Sequence, residues 1–444
     1  MAGTLSPGNI STGLQRVAEL AREAPAMVLT TLAHHIDLPL LRRAYERTPK
    51  NKATGVDRQT AASYAEKLEE NLGSLLSRFK SGTYRAPPVR RVHIPKGDGK
   101  TRPIGIPTFE DKVLQRAVVM VLEAVYEQDF RDCSYGFRPG RSAHQMVQDL
   151  WRELMSMGGA WVLELDIKSY FDTIDHAQLR AFLDRRVRDG VIRRSIDKWL
   201  KAGVLEDGQV HHPEEGTPQG GVISPLLANI FLHEVLDKWF ENDVQPRMGG
   251  RSRLFRYADD AVLVFSSERD ARRVSEVLPK RFAKYGLTLH PEKTRLVWFY
   301  PPSHPKPKDG PPDDSFDLLG FTHHWKKSRK GKWIVARQTA RKRFTRSLKA
   351  IASWCRENRH LKLTEQHKTL RAKLLGHYQY YGITGNFVKL ARFYHSVIIA
   401  WQKWLNRRSQ RGGMTWEKWN LWLKKHPLPQ PRVVHSVLTG AARP

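Results

Sequence analysis

The residues with the clearest chemical potential are three aspartates in two apolar segments. Asp259 and Asp260 interrupt FRYADDAVLVF, Phe255 to Phe265, and Asp166 directly follows the apolar run from Trp161 to Leu165. Burying an unpaired carboxylate is costly, so a tight exposed turn or a bound cation must stabilise these acids. The β-forming flanks predict a hairpin whose tip presents Asp259 and Asp260; an ordinary hairpin with a solvated turn is the alternative.

If Asp166 lies on a strand beside this hairpin, the carboxylates converge. Such a cluster can hold two Mg²⁺ ions about 3.5–4 Å apart, which would activate an attacking 3′-hydroxyl and neutralise a leaving pyrophosphate. The pattern therefore indicates nucleotidyl transfer. Asp260 is the least secure ligand, because adjacent strand residues point to opposite faces and both acids reach one site only if the tip departs from regular pleating.

Composition narrows the class of partner. The 444 residues suffice for two to four domains, and 75 lysines and arginines against 45 acids give a net charge of +30. Thirteen Trp, 13 Tyr and 17 Phe accompany that charge, which predicts a nucleic acid as partner. An anionic membrane is the competing partner, but charges interrupt every apolar run before the roughly 20 residues of a bilayer span, so we expect no transmembrane segment.

Targeting and cysteine signals are weak. The start, MAGTLSPGNISTGLQRVAEL, lacks the features of a secretory signal, so we expect a cytoplasmic protein, associated through its nucleic-acid partner with the nucleoid or a ribonucleoprotein. Cys133 and Cys355 alone exclude a disulfide framework and a four-cysteine zinc site. The histidine pairs at 211–212 and 323–324 lack partners at ligand spacing and are predicted to be solvated.

Residues 10–80 have helical spacing, and one helix is predicted to end at Gly82; its apolar positions are Tyr64, Leu68, Leu72, Leu75 and Phe79. VRRVHIPKGDGKTRPIGIP (89–107) predicts a basic hairpin, followed by a helix at about 110–128. Strand and helix signals then alternate as far as Phe321, around a proline-rich loop at 300–314. From about Arg337 the pattern becomes helical.

Seven ordered blocks carry a family resemblance: PKGDGKTRPIGIP, SYGFRPGRSAHQ, LDIKSYFDTIDH, GTPQGGVISPLLANIFLHEVLD, RYADD, GLTLHPEKT and LLGF. From about Asn51 to the C-terminus the chain resembles bacterial group II intron reverse transcriptases and maturases. The resemblance implies an α+β, right-hand polymerase fold, with fingers and palm built on antiparallel sheet. The implied domains are a helical extension (1–80), fingers and palm (81–325), a helical thumb (326–410) and a small C-terminal nucleic-acid-binding region (411–444).

The resemblance also assigns residues to the reaction. Asp166, Asp259, Asp260 and the Ile167 carbonyl would bind two Mg²⁺ ions, for which Mn²⁺ can substitute. The nucleotide would be bound by Lys96 and Arg102 on the triphosphate, Phe171 beneath the sugar, Gln219 near the new base pair and Lys293 as a general acid. The alternative roles are a core phenylalanine for Phe171 and a surface lysine for Lys293.

The remaining assigned residues concern the template and primer. They are Arg138 and Arg141 near a helix start at Ser142, Gly220 and Gly221 where the backbone approaches closely, and Arg341 and Arg343 on a basic helix. Trp416, Trp419 and Trp422 are predicted to pack a small core. The implied partners are an intron RNA template, a DNA primer or target, and dNTPs.

The function implied is an RNA-directed DNA polymerase of a group II intron that also binds intron RNA and assists splicing and retrotransposition. Two alternatives remain: a splicing maturase that acts mainly as an RNA-binding protein, and a domesticated reverse transcriptase in DNA repair or phage defence. Longer relatives end in a cysteine-bearing endonuclease domain, which this sequence lacks, so we expect no second-strand DNA cleavage.

Overall fold

The computed structural model describes residues 12–95, 101–206, 209–211, 216, 220–307, 311, 314–408 and 413–436. The chain divides into two compact units, one of residues 1–146 and 162–296, the other of residues 147–161 and 297–444. The first unit starts with four helices and continues with short groups of strands and helices, and both units contain both kinds of element. The predicted α+β class is confirmed at this level.

The helices in the described ranges are, in chain order, α1 (Thr12–Glu23), α2 (Leu38–Arg47), α3 (Ala61–Ala65), α4 (Leu68–Ser81), α5 (Phe109–Tyr126), α6 (Ala143–Met157), α7 (His176–Asp184), α8 (Gly190–Leu200), α9 (Ser224–Leu232), α10 (Glu268–Ala283), α11 (Arg341–Glu357), α12 (Leu363–Tyr381), α13 (Phe387–Leu405) and α14 (Trp416–Lys425). None of them combines the length and the apolar character needed to cross a bilayer.

The strands in the same ranges are β1 (Val89–Pro95), β2 (Thr101–Ile106), β3 (Ala160–Leu165), β4 (Val204–Glu206), β5 (Gln209–His211), β6 (Ser252–Tyr257), β7 (Asp260–Phe265), β8 (Arg295–Phe299), β9 (Phe316–Leu318), β10 (Phe321–Lys327) and β11 (Trp333–Thr339). They form sheets in the orders β2-β1-β4-β5, β6-β7-β3-β8 and β11-β10-β9.

The N-terminal helices differ from the prediction in one respect. The single helix expected across Tyr64 is wrong: α3 and α4 are separate, because Lys67 takes a non-helical conformation (φ −127°, ψ 44°). The Asn71 side chain donates to the Tyr64 carbonyl (2.9 Å), which pairs a backbone group near the break. Gly82 ends α4 as predicted, in the left-handed region at φ 77°.

Two hairpins of the first unit were predicted correctly. β1 and β2 pair antiparallel from Arg90 opposite Ile106 to Pro95 opposite Thr101, and their turn, with Lys96, lies outside the described residues. β6 and β7 pair antiparallel with Tyr257 opposite Asp260, which leaves a two-residue turn. β7 is buried along its length except at Asp260, which explains why its sequence is continuously apolar.

In the second unit, α11 begins at Arg341, so Arg337 lies on β11 and the change to helix comes later than predicted. The β10–β11 hairpin itself was missed. His323 on β10 is fully buried and stacked on Phe316 (ring centroids 4.7 Å apart), so its prediction as a solvated residue is wrong.

The helices of the second unit enclose a core of aromatic and aliphatic side chains. Trp419 is fully buried and packs edge-on against Trp401, with centroids 4.8 Å apart. Trp422 stacks on Trp419 at 5.5 Å, as predicted for a small core. Trp416 is 46% exposed, so it does not belong to that core.

Candidate active site

Asp259 lies in the turn of the β6–β7 hairpin. Ala258, the first turn residue, has φ 57°, in the left-handed region, and Asp260 is the first residue of β7. Such a backbone is typical of a tight hairpin turn. The tip therefore departs from regular pleating, the condition for both acids to share one site; Asp259 is partly buried, whereas Asp260 is exposed.

The buried side chain of Arg256 stabilises this turn. The Arg256 side chain is 0% exposed, and its guanidinium donates to both carboxylate oxygens of Asp237, from Nε (2.7 Å) and from Nη2 (2.5 Å). The Nη1 atom also donates to the carbonyl oxygen of Ala258 (3.1 Å). The remaining partners of the guanidinium are Asn229 Oδ1 and Ser134 Oγ. Arg256 therefore joins the turn to three other segments of the first unit.

The segment Ser134–Gly136 covers the outer edge of β6. The Arg256 amide donates to the Cys133 carbonyl (2.7 Å), and the Tyr135 amide donates to the Arg256 carbonyl (2.8 Å). A Cβ atom at Gly136 would overlap the Ala258 amide nitrogen and lie 2.9 Å from the Tyr257 carbonyl carbon. Only glycine therefore allows this segment to lie against the turn.

Sequence reasoning missed these supporting residues. Arg256 is a charged residue inside the apolar run LFRY, Asp237 lies in the mixed segment HEVLDKWFE, and Gly136 precedes a phenylalanine in SYGFRPGR. The available signal was that a charge on a buried strand must have an opposite charge beside it. The sequence could not identify which acid that was.

Asp166 directly follows β3 and is hydrogen-bonded to a returning segment, residues 288–290. The His290 amide donates to the Asp166 carbonyl (2.8 Å), and the Lys168 amide donates to the Thr288 carbonyl (2.9 Å). These two bonds enclose an antiparallel bridge between Ile167 and Leu289. Because neither bond uses the polar groups of Ile167, its carbonyl points away from that segment, consistent with the predicted ligand.

The same returning segment brings Lys293 to Asp166. The Lys293 ammonium lies 3.1 Å from Asp166 Oδ2, and both side chains are partly exposed. In the sequence these residues are 127 positions apart. Lys293 therefore lies in the acidic site, next to Asp166.

Charged residues on three elements shift the pKa of Asp259. Burial raises the pKa of the Asp259 carboxyl; its own backbone amide and the charge of Arg102 lower the pKa, Asp166 raises it, and Arg256 lowers it. The Asp166 and Arg102 charges thus both act on Asp259. Arg102 is exposed on β2, so the first hairpin presents a cation to the acids of the second sheet.

The oxygen atoms of this site fit a divalent cation. Carboxylates and a backbone carbonyl are the hard ligands that such ions prefer, and a cation would relieve both the burial of Asp259 and its repulsion by Asp166. Within the described ranges, no three acidic, histidine or cysteine side chains lie close enough to hold an ion by themselves. The remaining ligands would then have to come from backbone, water or substrate oxygens.

Phe171 follows Asp166 in a short 3₁₀ helix, Tyr170–Asp172, that begins after the left-handed Ser169 (φ 49°). The Tyr170 hydroxyl donates to the Ala228 carbonyl (2.6 Å), which anchors the turn. The Phe171 ring remains partly exposed, 5.4 Å from the Tyr170 ring centroid. This placement differs from that of a core phenylalanine.

Two glycines of the GTPQGG segment, Gly216 and Gly220, lie close to the Phe171 turn and to β2, respectively. A Cβ at Gly216 (φ 90°) would lie 2.9 Å from the Phe171 carbonyl oxygen. A Cβ at Gly220 (φ 116°) would overlap the Gly105 carbonyl and lie 2.7 Å from Ile104 Cγ2 on β2. Gly216 therefore lies against the Phe171 turn, and Gly220 lies against the strand of Arg102. Gln219 itself lies outside the described residues.

The predicted template residues differ in their surroundings. Arg138 is buried, pairs with Glu127 (Nη2 to Oε2, 3.0 Å) and donates to the Arg131 and Ser134 carbonyls. These partners favour a structural role over contact with a template phosphate. Arg141 is partly exposed and pairs with the exposed Asp132.

Gly221 borders the α9 start, where the Val222 amide donates to Gln115 Oε1 (2.8 Å). Arg341 and Arg343 lie in the second unit, exposed on the first turn of α11.

Paired carboxylates at a strand end and a hairpin turn, faced by cations, define a protein that acts on phosphoryl groups. The chain belongs to the family "Reverse transcriptase (RNA-dependent DNA polymerase)", whose model matches residues 94–323, just over half of the sequence. That range contains the acids, Arg102, Phe171 and Lys293.

Similar proteins extend the match. The group II intron-encoded protein LtrA of Lactococcus lactis subsp. cremoris is 43% identical over 232 residues, which are 51% of this chain and 38% of LtrA. Protein YkfC of Escherichia coli (strain K12) is 34% identical over 387 residues, 77% of this chain and 96% of YkfC. Nuclear intron maturase 2, mitochondrial, of Arabidopsis thaliana is 28% identical over 229 residues, 43% of this chain and 29% of the maturase.

These matches confirm the resemblance to group II intron reverse transcriptases and maturases. The chain spans less than half the length of LtrA and nearly the whole length of YkfC.

Proposed function

We propose that the protein is an RNA-directed DNA polymerase of a group II intron, which adds dNTPs to a primer 3′-hydroxyl on an RNA template. The observation that carries the proposal is the convergence of charges on Asp259: Asp166 from the end of β3 and Arg102 from β2 both act on it. Lys293 joins the same group through Asp166. A site of this composition binds a nucleotide triphosphate with its metal ions.

Asp166, Asp259 and the Ile167 carbonyl would hold divalent ions, two Mg²⁺ in our proposal, with Asp260 as the least certain contributor. The chemistry supplied by such ions when bound is acidification of the 3′-hydroxyl and charge neutralisation at the leaving pyrophosphate. The protein contributes the positioning. Arg256 holds the Ala258 carbonyl, and the turn therefore keeps Asp259 in one orientation.

Arginine and lysine side chains would bind the triphosphate. The planar guanidinium of Arg102 suits two phosphoryl oxygens at once, and Lys96 is proposed to act with it. Lys293, at 3.1 Å from Asp166, can donate a proton to the leaving group from the same side as the acids. The Phe171 ring would lie under the deoxyribose and clash with a 2′-hydroxyl.

The residues that would contact the template are proposed from their positive charge and their exposure. The first turn of α11 carries Arg341 and Arg343, and the whole helix is rich in exposed cations without an acid in its first turn. We assign template or intron RNA contact to these residues and to Arg141, and a positioning role to Arg138. The name of the Arabidopsis thaliana relative, an intron maturase, supports a splicing role beside polymerisation.

The decisive experiment is primer extension on a defined RNA template with Mg²⁺ and dNTPs. We expect cDNA from the wild type and a loss of about a thousandfold or more in Asp259→Ala. Asp243→Ala is the matched control, because Asp243 is an exposed aspartate outside the site. Wild-type protein that binds RNA but yields no cDNA would favour the maturase that acts as an RNA-binding protein.

A splicing assay separates the two roles. Asp259→Ala should still assist splicing of its intron if RNA binding uses other surfaces. Equal loss of splicing and polymerisation in this variant would contradict separate surfaces.

A further inference from the structure

The tip of the β10–β11 hairpin, residues 326–333, is a concentrated positive surface outside the site; we call it the basic tip. Its five cations are all exposed: Lys326, Lys327, Arg329, Lys330 and Lys332. None of them has a role in the function proposed above. The basic tip therefore needs its own explanation.

The charge of the basic tip is not neutralised locally. The sequence contains no acid between Asp317 and Glu357. Within the part of the chain that the structure describes, none of the five cations forms an ion pair of the kind seen at Arg138 or Arg256. A chain pays a repulsion cost for such a cluster unless an anionic partner offsets it.

The basic tip is preorganised. The Ser328 amide donates to the Lys332 carbonyl (2.8 Å), and Gly331, at φ 74°, donates to the Ser328 carbonyl (3.0 Å). Nearer the base of the hairpin, Trp151 Nε1 donates to the Val335 carbonyl (2.8 Å) and Trp325 packs against Phe299 (5.6 Å). The tip thus projects from a packed base, so binding would cost little ordering entropy.

The two faces of the ribbon both carry charge. Lys327 lies opposite Trp333 and Lys326 lies opposite Ile334, and adjacent strand residues point to opposite faces. A flat anionic surface such as a bilayer would contact only one face. A groove with a phosphate strand on each side would contact both.

We propose that the basic tip lies in a groove of the RNA–DNA duplex formed during polymerisation and contacts the phosphates of both strands. This inference rests on the proposed function, because that activity is the source of the duplex. The minor groove of an A-form-like duplex is wide and shallow, so a two-stranded ribbon can lie across it. Contacts to phosphates alone imply affinity without sequence preference.

The test uses the full chain and its binding to an RNA–DNA duplex at several salt concentrations. In the tip variant, all five cations are changed to Gln. The control variant removes the same number of exposed charges from α10 and the residue that follows it: Arg269, Arg272, Arg273, Lys280 and Lys284 to Gln, of which Arg272 is paired with Glu268. For the tip variant we expect the slope of log affinity against log salt to fall by about 4, and affinity near 0.1 M salt to fall tenfold or more.

Further variants separate the proposed geometry from general charge. Changing the four tip lysines to Arg keeps the charge and should restore binding. Lys326→Gln and Lys327→Gln should each weaken binding, since each faces one strand. Loss confined to one of the two, or equal loss in the α10 control, would overturn the proposal.

Three further ligands test whether the basic tip prefers an RNA–DNA duplex. Single-stranded RNA, B-form DNA and vesicles of anionic lipid should be less sensitive to the tip variant than the RNA–DNA duplex. Equal or greater sensitivity on any of them would contradict the proposed partner. Because binding is measured without nucleotide addition, a wild type that fails to extend primers but shows the tip effect would overturn only the polymerase function.

Discussion

Two of the antiparallel hairpins in the described ranges, β6–β7 and β10–β11, have tips of opposite character. The β6–β7 tip carries acids, contains the left-handed Ala258 and is held from beneath by Arg256. The β10–β11 tip carries five exposed cations around the left-handed Gly331. Each tip contains a left-handed residue, but the first is a two-residue turn packed against Arg256 and Gly136, whereas the second is a five-residue turn, 328–332, with exposed cations. Packing against neighbouring residues fixes the position of the first tip. The cations of the second tip remain accessible to an anionic partner.

Removal of the buried Arg256 guanidinium should give the largest difference in unfolding free energy between variants of the two tips. Arg256→Met leaves Asp237 as a buried carboxylate without its partner, so we expect the free energy of unfolding to fall by about 3–5 kcal/mol. Arg329→Met at the basic tip should change it by less than about 0.5 kcal/mol. Urea denaturation of both variants provides the measurement.

A double variant separates charge from position. Arg256→Met with Asp237→Leu removes the unpaired acid and should recover much of the stability. It should not recover primer extension, because the hydrogen bond to the Ala258 carbonyl is still absent. Full activity in the double variant would show that the turn needs no support from Arg256.

Glycine substitutions compare steric and conformational constraints. At Gly136 an added methyl would overlap the hairpin turn, so Gly136→Ala should cost about 1–3 kcal/mol of unfolding free energy and lower the rate of primer extension. At Gly331 nothing lies within 4 Å, and only the φ of 74° disfavours a side chain. Gly331→Asn, which tolerates that φ, should therefore fold normally.

Thermal unfolding and single-turnover extension measure both substitutions. If Gly136→Ala retained full stability and rate, the close approach of Gly136 to the Ala258 turn would be irrelevant to the site.

The two tips also differ in how far the sequence could predict them. The acids at 166 and 259 were recognisable because carboxylates beside apolar strands are costly without a purpose. Their partners were not, because Asp237, Asn229 and Gly136 reach the turn only through tertiary packing. The β10–β11 hairpin was missed although its cations are plain in the sequence, since HHWKKSRKGKW lacks the apolar–polar alternation that marks a strand.

Nucleotide selection should distinguish the site from the basic tip. Phe171→Ala removes the partly exposed ring that follows Asp166, and we expect the preference for dNTP over rNTP, as a ratio of kcat/KM values, to fall by about 10–100-fold. Phe387→Ala is a matched control, because Phe387 is an exposed phenylalanine at the start of α13 in the second unit. An unchanged ratio in Phe171→Ala would exclude the ring from sugar selection.

The smallest expected effect is at one lysine of the basic tip. Lys330→Gln removes a single exposed charge, so the free energy of unfolding should change by less than about 0.5 kcal/mol, and kcat at saturating template–primer should stay the same. What should change is the salt dependence of duplex binding, with the slope lowered by about 0.9 for one lost phosphate contact. Such a result would separate the two hairpins clearly: a change that lowers stability and rate belongs to the Asp259 turn, and a change visible only against salt belongs to the basic tip. A loss of kcat at saturation in Lys330→Gln would instead mean that the tip helps to position the primer, and the contrast between a positioning hairpin and a binding hairpin would no longer hold.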